Sequence, residues 1–163
     1  MAGVADDPHV LGPGLLPTPF TADEIRAGCP DGRLIRMQIE DNGHLVGYRT
    51  NRFHGGDVEG ASVESRRFDA SGAPAGEPET ARVPWLGFQR HAAFEATRAT
   101  RRPEVIETSL GRLDCLRYTT RDDTGSIGDY WFALTLPGMP IRYRSVEGDG
   151  VTSEVIVIEN LMP

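Results

Sequence analysis

Hydrophobic and polar residues alternate along most of the chain, and the alternation predicts strands. In Leu34-Ile35-Arg36-Met37-Gln38-Ile39-Glu40, the residues Ile35, Met37 and Ile39 share one face while the other face is mostly polar. Successive side chains of extended backbone point to opposite sides, so this pattern marks a strand with one buried face. Asp41-Asn42-Gly43 follows, three residues that tolerate positive φ, and predicts a hairpin into a strand over His44–Phe53. His54-Gly55-Gly56-Asp57 marks a loop, Ala61–Asp69 a third strand, Asp69-Ala70-Ser71-Gly72 a turn, and Glu79–Val83 a shorter strand with a solvated edge.

The last third repeats the pattern. Val105–Thr108 and Leu113–Thr120 flank the turn Ser109-Leu110-Gly111-Arg112; Tyr130–Thr135 and Ile141–Val146 flank Leu136-Pro137-Gly138-Met139-Pro140. Val151–Glu159 is apolar on both faces, as expected of a strand inside a sheet or covered on both sides.

Helical signals occur at two places. Thr21 and Glu24 form a capping box, Phe20 and Ile25 stand at the staple positions, and Gly28 and Pro30 stop the helix after about two turns. Pro84–Phe94 places Trp85, Phe88 and Ala92 on one side and reads as a short helix or structured loop. Residues 1–19, rich in Gly and Pro without periodicity, read as a flexible or draped arm ahead of one domain spanning 20–163. The expected fold is mainly β: a curled antiparallel sheet of 8–9 strands, a half-barrel, with one or two short helices.

Composition narrows the function. The chain has 163 residues, the length of one domain able to bury roughly two thirds of its unfolded surface. Acidic residues outnumber basic ones 24 to 17, for a net charge of −7. The densest basic clusters, Arg66-Arg67 and Arg101-Arg102, hold two residues each, so nucleic acid is not an expected partner. No apolar run approaches the roughly 18–20 residues a membrane span needs. Met1–Asp7 carries no basic region or apolar segment, so no signal peptide is read there and a cytoplasmic location is expected.

Every basic side chain other than histidine is arginine; lysine is absent. Lysine Schiff-base chemistry, pyridoxal phosphate attachment and a P-loop lysine are therefore excluded. Cys29 and Cys115 are far apart, form no C-x-x-C pair, and are expected as free thiols. The sequence has no G-x-S-x-G elbow, H-E-x-x-H, EF-hand loop or strand-linked G-x-G-x-x-G, and no cofactor is expected.

The run Ile106–Cys115, followed by Asp129-Tyr130-Trp131-Phe132-Ala133, Leu136-Pro137-Gly138-Met139-Pro140 and Ile141-Arg142-Tyr143, resembles the tail of bacterial lipoprotein-carrier-like domains, the outer-membrane lipoprotein-sorting half-barrels. The resemblance covers about residues 105–160. It implies an incomplete antiparallel barrel around a short helical lid, with an apolar cavity for acyl chains. Without an export signal, periplasmic lipoprotein transport is not implied. Cytoplasmic relatives of that half-barrel acting on small aromatic metabolites keep an enzymatic reading open.

Trp85, Phe88, Phe94, Tyr118, Tyr130, Trp131 and Phe132 are candidates to line a cavity, or simply to fill the core. On a regular strand Tyr130 and Phe132 oppose Trp131, so only one set can point inward. His91, among apolar residues, is a candidate general base or a rim residue. Arg142 and Arg144 share a strand face; Arg142 is a candidate anchor for a ligand carboxylate, or either arginine pairs with Glu107 or Glu154 across the sheet. His44, His54 and Asp57 are too poorly spaced for a metal site, and none is expected. Cys115 reads as an inert buried thiol.

The leading expectation is a domain that binds a small apolar, aromatic or amphipathic molecule in the concave face of a half-barrel. One alternative is a cofactor-free enzyme of secondary metabolism with His91, Tyr130 and Arg142 as acid, base and anchor. Another is a structural or interaction domain, a homodimer formed through an exposed sheet edge.

Overall fold

In the computed structural model, which describes residues 6–163, Asn42 and Gly43 take φ of 49° and 78°. They fold strand β1 (Leu34–Asp41) back onto β2 (His44–His54) through the turn expected from the sequence. β3 (Gly60–Asp69) and β4 (Glu79–Pro84) continue the antiparallel meander outward. The start of the N-terminal arm, residues 1–5, lies outside the described residues.

A second meander comprises β5 (Ala99–Thr108), β6 (Gly111–Arg121), β7 (Ile127–Ala133), β8 (Arg142–Val146) and β9 (Thr152–Leu161). The two meanders join where β9 pairs with β1, giving one open antiparallel sheet of order β4-β3-β2-β1-β9-β8-β7-β6-β5. β9 is therefore internal, which explains why both its faces are apolar. The edge strand β5 begins at Ala99, well before the apolar pattern at Val105; its first half is polar and carries Pro103. Proline donates no ladder hydrogen bond, so an edge is where a strand tolerates it.

Two helices complete the fold. α1 (Ala22–Gly28) is capped as expected: the Thr21 hydroxyl accepts from the Glu24 N–H at 3.2 Å, and the Glu24 carboxylate accepts from the Thr21 N–H at 3.2 Å. α2 (Trp85–Arg90) follows β4 directly, and residues 91–98 continue as loop. No helix of the described residues is long and apolar enough to cross a membrane.

The core lies between the inner face of the sheet and the helices. Ile35, Met37, Phe53, Tyr118, Phe132 and Val157 point inward to meet Phe20 and Ile25 at and next to α1. Burying each large side chain of this set contributes about 1.5–3 kcal/mol. Gln89, itself buried, binds three segments together. Its carbonyl accepts from the Ala22 N–H at 2.9 Å, while its amide donates to Pro8 O at 2.9 Å and Thr18 Oγ1 at 3.0 Å. Residues 6–18 are thereby draped along the helices, held also by Leu16 N–H to Phe94 O at 2.8 Å and the Tyr118 hydroxyl to Pro17 O at 2.6 Å.

Candidate functional site

β4 and β5 are opposite edges of the sheet yet consecutive strands in the chain. The segment between them must cross the sheet, and α2 with residues 91–98 does so over the inner face. This crossing roofs a cavity of about 430 Å³. Phe53 and Val63 of β2 and β3 form its floor, Phe88 and Ala92 its roof, Phe132 of β7 one wall, and Met139 of the β7–β8 loop another. The volume falls within the roughly 300–1,000 Å³ of small-molecule sites, and the lining is mainly apolar. The Phe53 and Phe88 rings meet at 5.8 Å, and Phe88 in turn rests on Trp85 at 5.7 Å.

One charged group enters this apolar lining. Arg49 lies on β2 in the same alternation as Asn51 and Phe53, so its side chain shares their face. Its Nε is buried without a hydrogen-bond partner, and the partner of its guanidinium among the described residues is the Met37 sulfur, at 3.8 Å. Arg144 also buries Nε, but its guanidinium reaches the Asp129 carboxylate at 3.4 Å. Arg49 has no carboxylate within ion-pair distance among the described residues. The residue directly opposite it on β3 is another arginine, Arg67. Burial first, and then repulsion from Arg67, lower the Arg49 pKa from its ordinary value. Asn51, the next lining residue, accepts from the Ser65 hydroxyl at 2.8 Å and points its amide to the Met139 sulfur at 3.8 Å.

The expected site residues separate into three groups. Phe88, Tyr130 and His91 line the cavity, with His91 exposed at its rim. Trp85, Phe94 and Tyr118 pack behind it. The Trp85 Nε1–H donates to Asp57 O at 2.8 Å; Phe94 lies between Tyr118 at 5.2 Å and Tyr130 at 5.0 Å; Tyr118 is wholly enclosed.

Trp131 and Arg142 are on the opposite, convex face, because on β7 it is Tyr130 and Phe132 that turn inward and on β8 it is Tyr143. Trp131 is sandwiched between its cross-strand neighbours Arg117 and Arg142, each guanidinium 4.8 Å from the ring centre. Arg142 is also paired with Glu154 at 3.1 Å, the cross-strand ion pair that was the alternative to an anchoring role. Below it, Asp129 takes bonds from Thr119 at 2.6 Å and Arg117 at 3.0 Å. Burial raises the Asp129 carboxyl, but those bonds and the charges of Arg117 and Arg144 outweigh it and hold the pKa below its ordinary value.

His91, Tyr130 and Arg142 therefore do not assemble into one acid–base set. Tyr130 is moreover held in its protonated form, its pKa raised by burial and by the Tyr143 phenol stacked on it at 4.7 Å. His44 and His54 sit at opposite ends of β2. Cys29 and Cys115 are buried and free; burial pushes the Cys115 thiol up to about 11, in keeping with an inert group. A second, more open hollow of about 440 Å³ lies beyond Tyr130, where Arg98, Asp122, Ser126 and Glu147 join Phe94, Ile127 and Tyr143 in a mixed polar and apolar lining.

No family model and no curated protein sequence matches the chain. Among solved structures it is similar to the crystal structure of a candidate exported protein with a YmcC-like fold from Bacteroides fragilis. The TM-score is 0.54 at 10% identity, over 82% of this chain and 97% of that one. The likeness shows a shared antiparallel β fold. It also corrects one expectation: the cytoplasmic location read from Met1–Asp7 is overturned, since the similar fold is that of a candidate exported protein.

Proposed function

We propose that this chain binds a small apolar or amphipathic molecule in the roofed cavity of its inner sheet face. The observation that carries the reading is the cavity itself: about 430 Å³ walled by Phe53, Val63, Phe88, Phe132 and Met139. Protein interiors close-pack, so apolar space of this size under a roof has the character of a site rather than of a packing fault. The half-barrel resemblance over about residues 105–160, which implies an acyl-chain cavity, supports the same class of ligand.

The test is a titration with the fluorescent apolar probe N-phenyl-1-naphthylamine. The wild-type protein is expected to bind it saturably, and Val63→Trp, which fills the floor of the cavity, is expected to weaken binding by about tenfold or more while the fold persists by circular dichroism. Absence of saturable binding to the wild-type protein contradicts the reading.

A further inference from the structure

We infer that the molecule taken by this cavity is an amphipathic carboxylic acid, its carboxylate held by Arg49 and its apolar body laid against Phe53, Phe88 and Phe132. The inference rests on the proposed cavity function and adds the ligand's charge and direction. Its grounds are geometric. Arg49 and Phe53 stand four residues apart on one face of β2, about 13 Å along extended backbone, so the lining has a cationic end and an aromatic end. Among the described residues the guanidinium has a buried Nε without a partner, a sulfur as its protein acceptor, and Arg67 rather than an acid across the strand pair.

A guanidinium nitrogen buried without an acceptor is costly, and a half-buried arginine beside a cavity leaves its remaining donors to whatever enters. The guanidinium fork matches a carboxylate through two parallel bonds, and one guanidinium in the lining matches one negative charge. Tyr130 and Asn51, neutral polar groups in the same lining, do not oppose an anion; Glu77 and Glu79 line a neighbouring hollow that Arg49 and Arg67 also border, and neither glutamate lines this cavity.

The experiment compares decanoate with decanol at neutral pH and low salt, each displacing N-phenyl-1-naphthylamine from the wild-type protein and from Arg49→Gln. The wild-type protein is expected to prefer decanoate by at least about tenfold, the least a charge-assisted bond supplies. Arg49→Gln is expected to lose that preference, its decanoate-to-decanol affinity ratio falling toward one. If decanol binds as well as decanoate to the wild-type protein, the carboxylate assignment is overturned and the cavity stands. If neither displaces a bound probe, or no probe binds, the cavity reading itself falls. Should Arg49→Gln not fold, Arg49→Lys serves: it keeps the charge but not the fork, and is expected to retain part of the preference for the acid. An unchanged preference in either folded variant also overturns the role of Arg49.

Discussion

Arg49 and Arg67 face one another directly across β2 and β3, two like charges in register with no acid paired to either among the described residues. Like charges directly opposite destabilise a strand pair, whereas opposite charges stabilise it by roughly 0.2–1 kcal/mol. Arg67→Glu is therefore expected to raise the denaturation midpoint while weakening decanoate binding, because the new carboxylate competes for Arg49. Urea denaturation and probe displacement check the pair of effects. A variant that is less stable and binds decanoate more tightly contradicts this account of the two arginines.

Trp131 tests the assignment of faces. It is 3% exposed on the convex side, enclosed by Arg117, Arg142 and Arg144 and donating its Nε1–H to the Glu104 carboxylate at 2.5 Å. Trp131→Ala is expected to cost about 3–5 kcal/mol in denaturant unfolding, as for other large buried aromatics. Under conditions where it remains folded it should bind the apolar probe as the wild-type protein does. Phe132→Leu, one residue away on the other face, should change probe affinity. The reverse pattern contradicts the placement.

Much of this fold was legible because it rests on local rules. The period-two runs located β1, β2 and β3 to within a residue or so, the positive-φ pair at Asn42-Gly43 set the first hairpin, and the capping box set α1. The pairing of β1 with β9 was not legible, since it depends on which strand edges meet after the sheet curls. Nor could alternation choose a face for Tyr130-Trp131-Phe132, where both faces are aromatic. The decisive contact there is Trp131 with arginines of two neighbouring strands, a tertiary feature.

The place of Arg49 in the cavity lining was not legible for a related reason. The sequence pointed to Arg142 as a candidate carboxylate anchor; in the structure Arg142 lies on the opposite face of the sheet and pairs with Glu154. Arg49 sits in a run whose neighbours Gly47 and Asn51 lack any apolar signal, so its inward face was hidden. The register with β1 reveals it: Met37, plainly core, lies opposite Arg49.

Gln89 is expected to hold the draped segment and both helices in place. Gln89→Ala leaves the Ala22 N–H and the Pro8 carbonyl short of a partner, a cost of about 1–3 kcal/mol. Thermal unfolding measures the loss, and limited proteolysis should cut within residues 6–18 faster than in the wild-type protein. Unchanged cleavage there contradicts the role given to this side chain.

Asp129 links stability to pH. Its folded pKa is depressed below that of an unfolded aspartate, near ~3.9, so its stabilisation is complete above that value and is lost as pH falls through the lower folded pKa. Asp129→Asn is expected to be less stable than the wild-type protein by about 1.5–3 kcal/mol at neutral pH, with the gap shrinking on acidification below about pH 4. A gap that holds constant or widens in acid contradicts this sign.

The most direct measurement is methyl NMR of the wild-type protein during titration with decanoate. Ligand in the roofed cavity should shift the methyls of Val63 and Met139 with a common dissociation constant while leaving exposed Val105 and Val151 in place. Shifts confined to Val105 or Val151, or spread over the surface without saturation, would contradict a binding site between the sheet and its crossing segment.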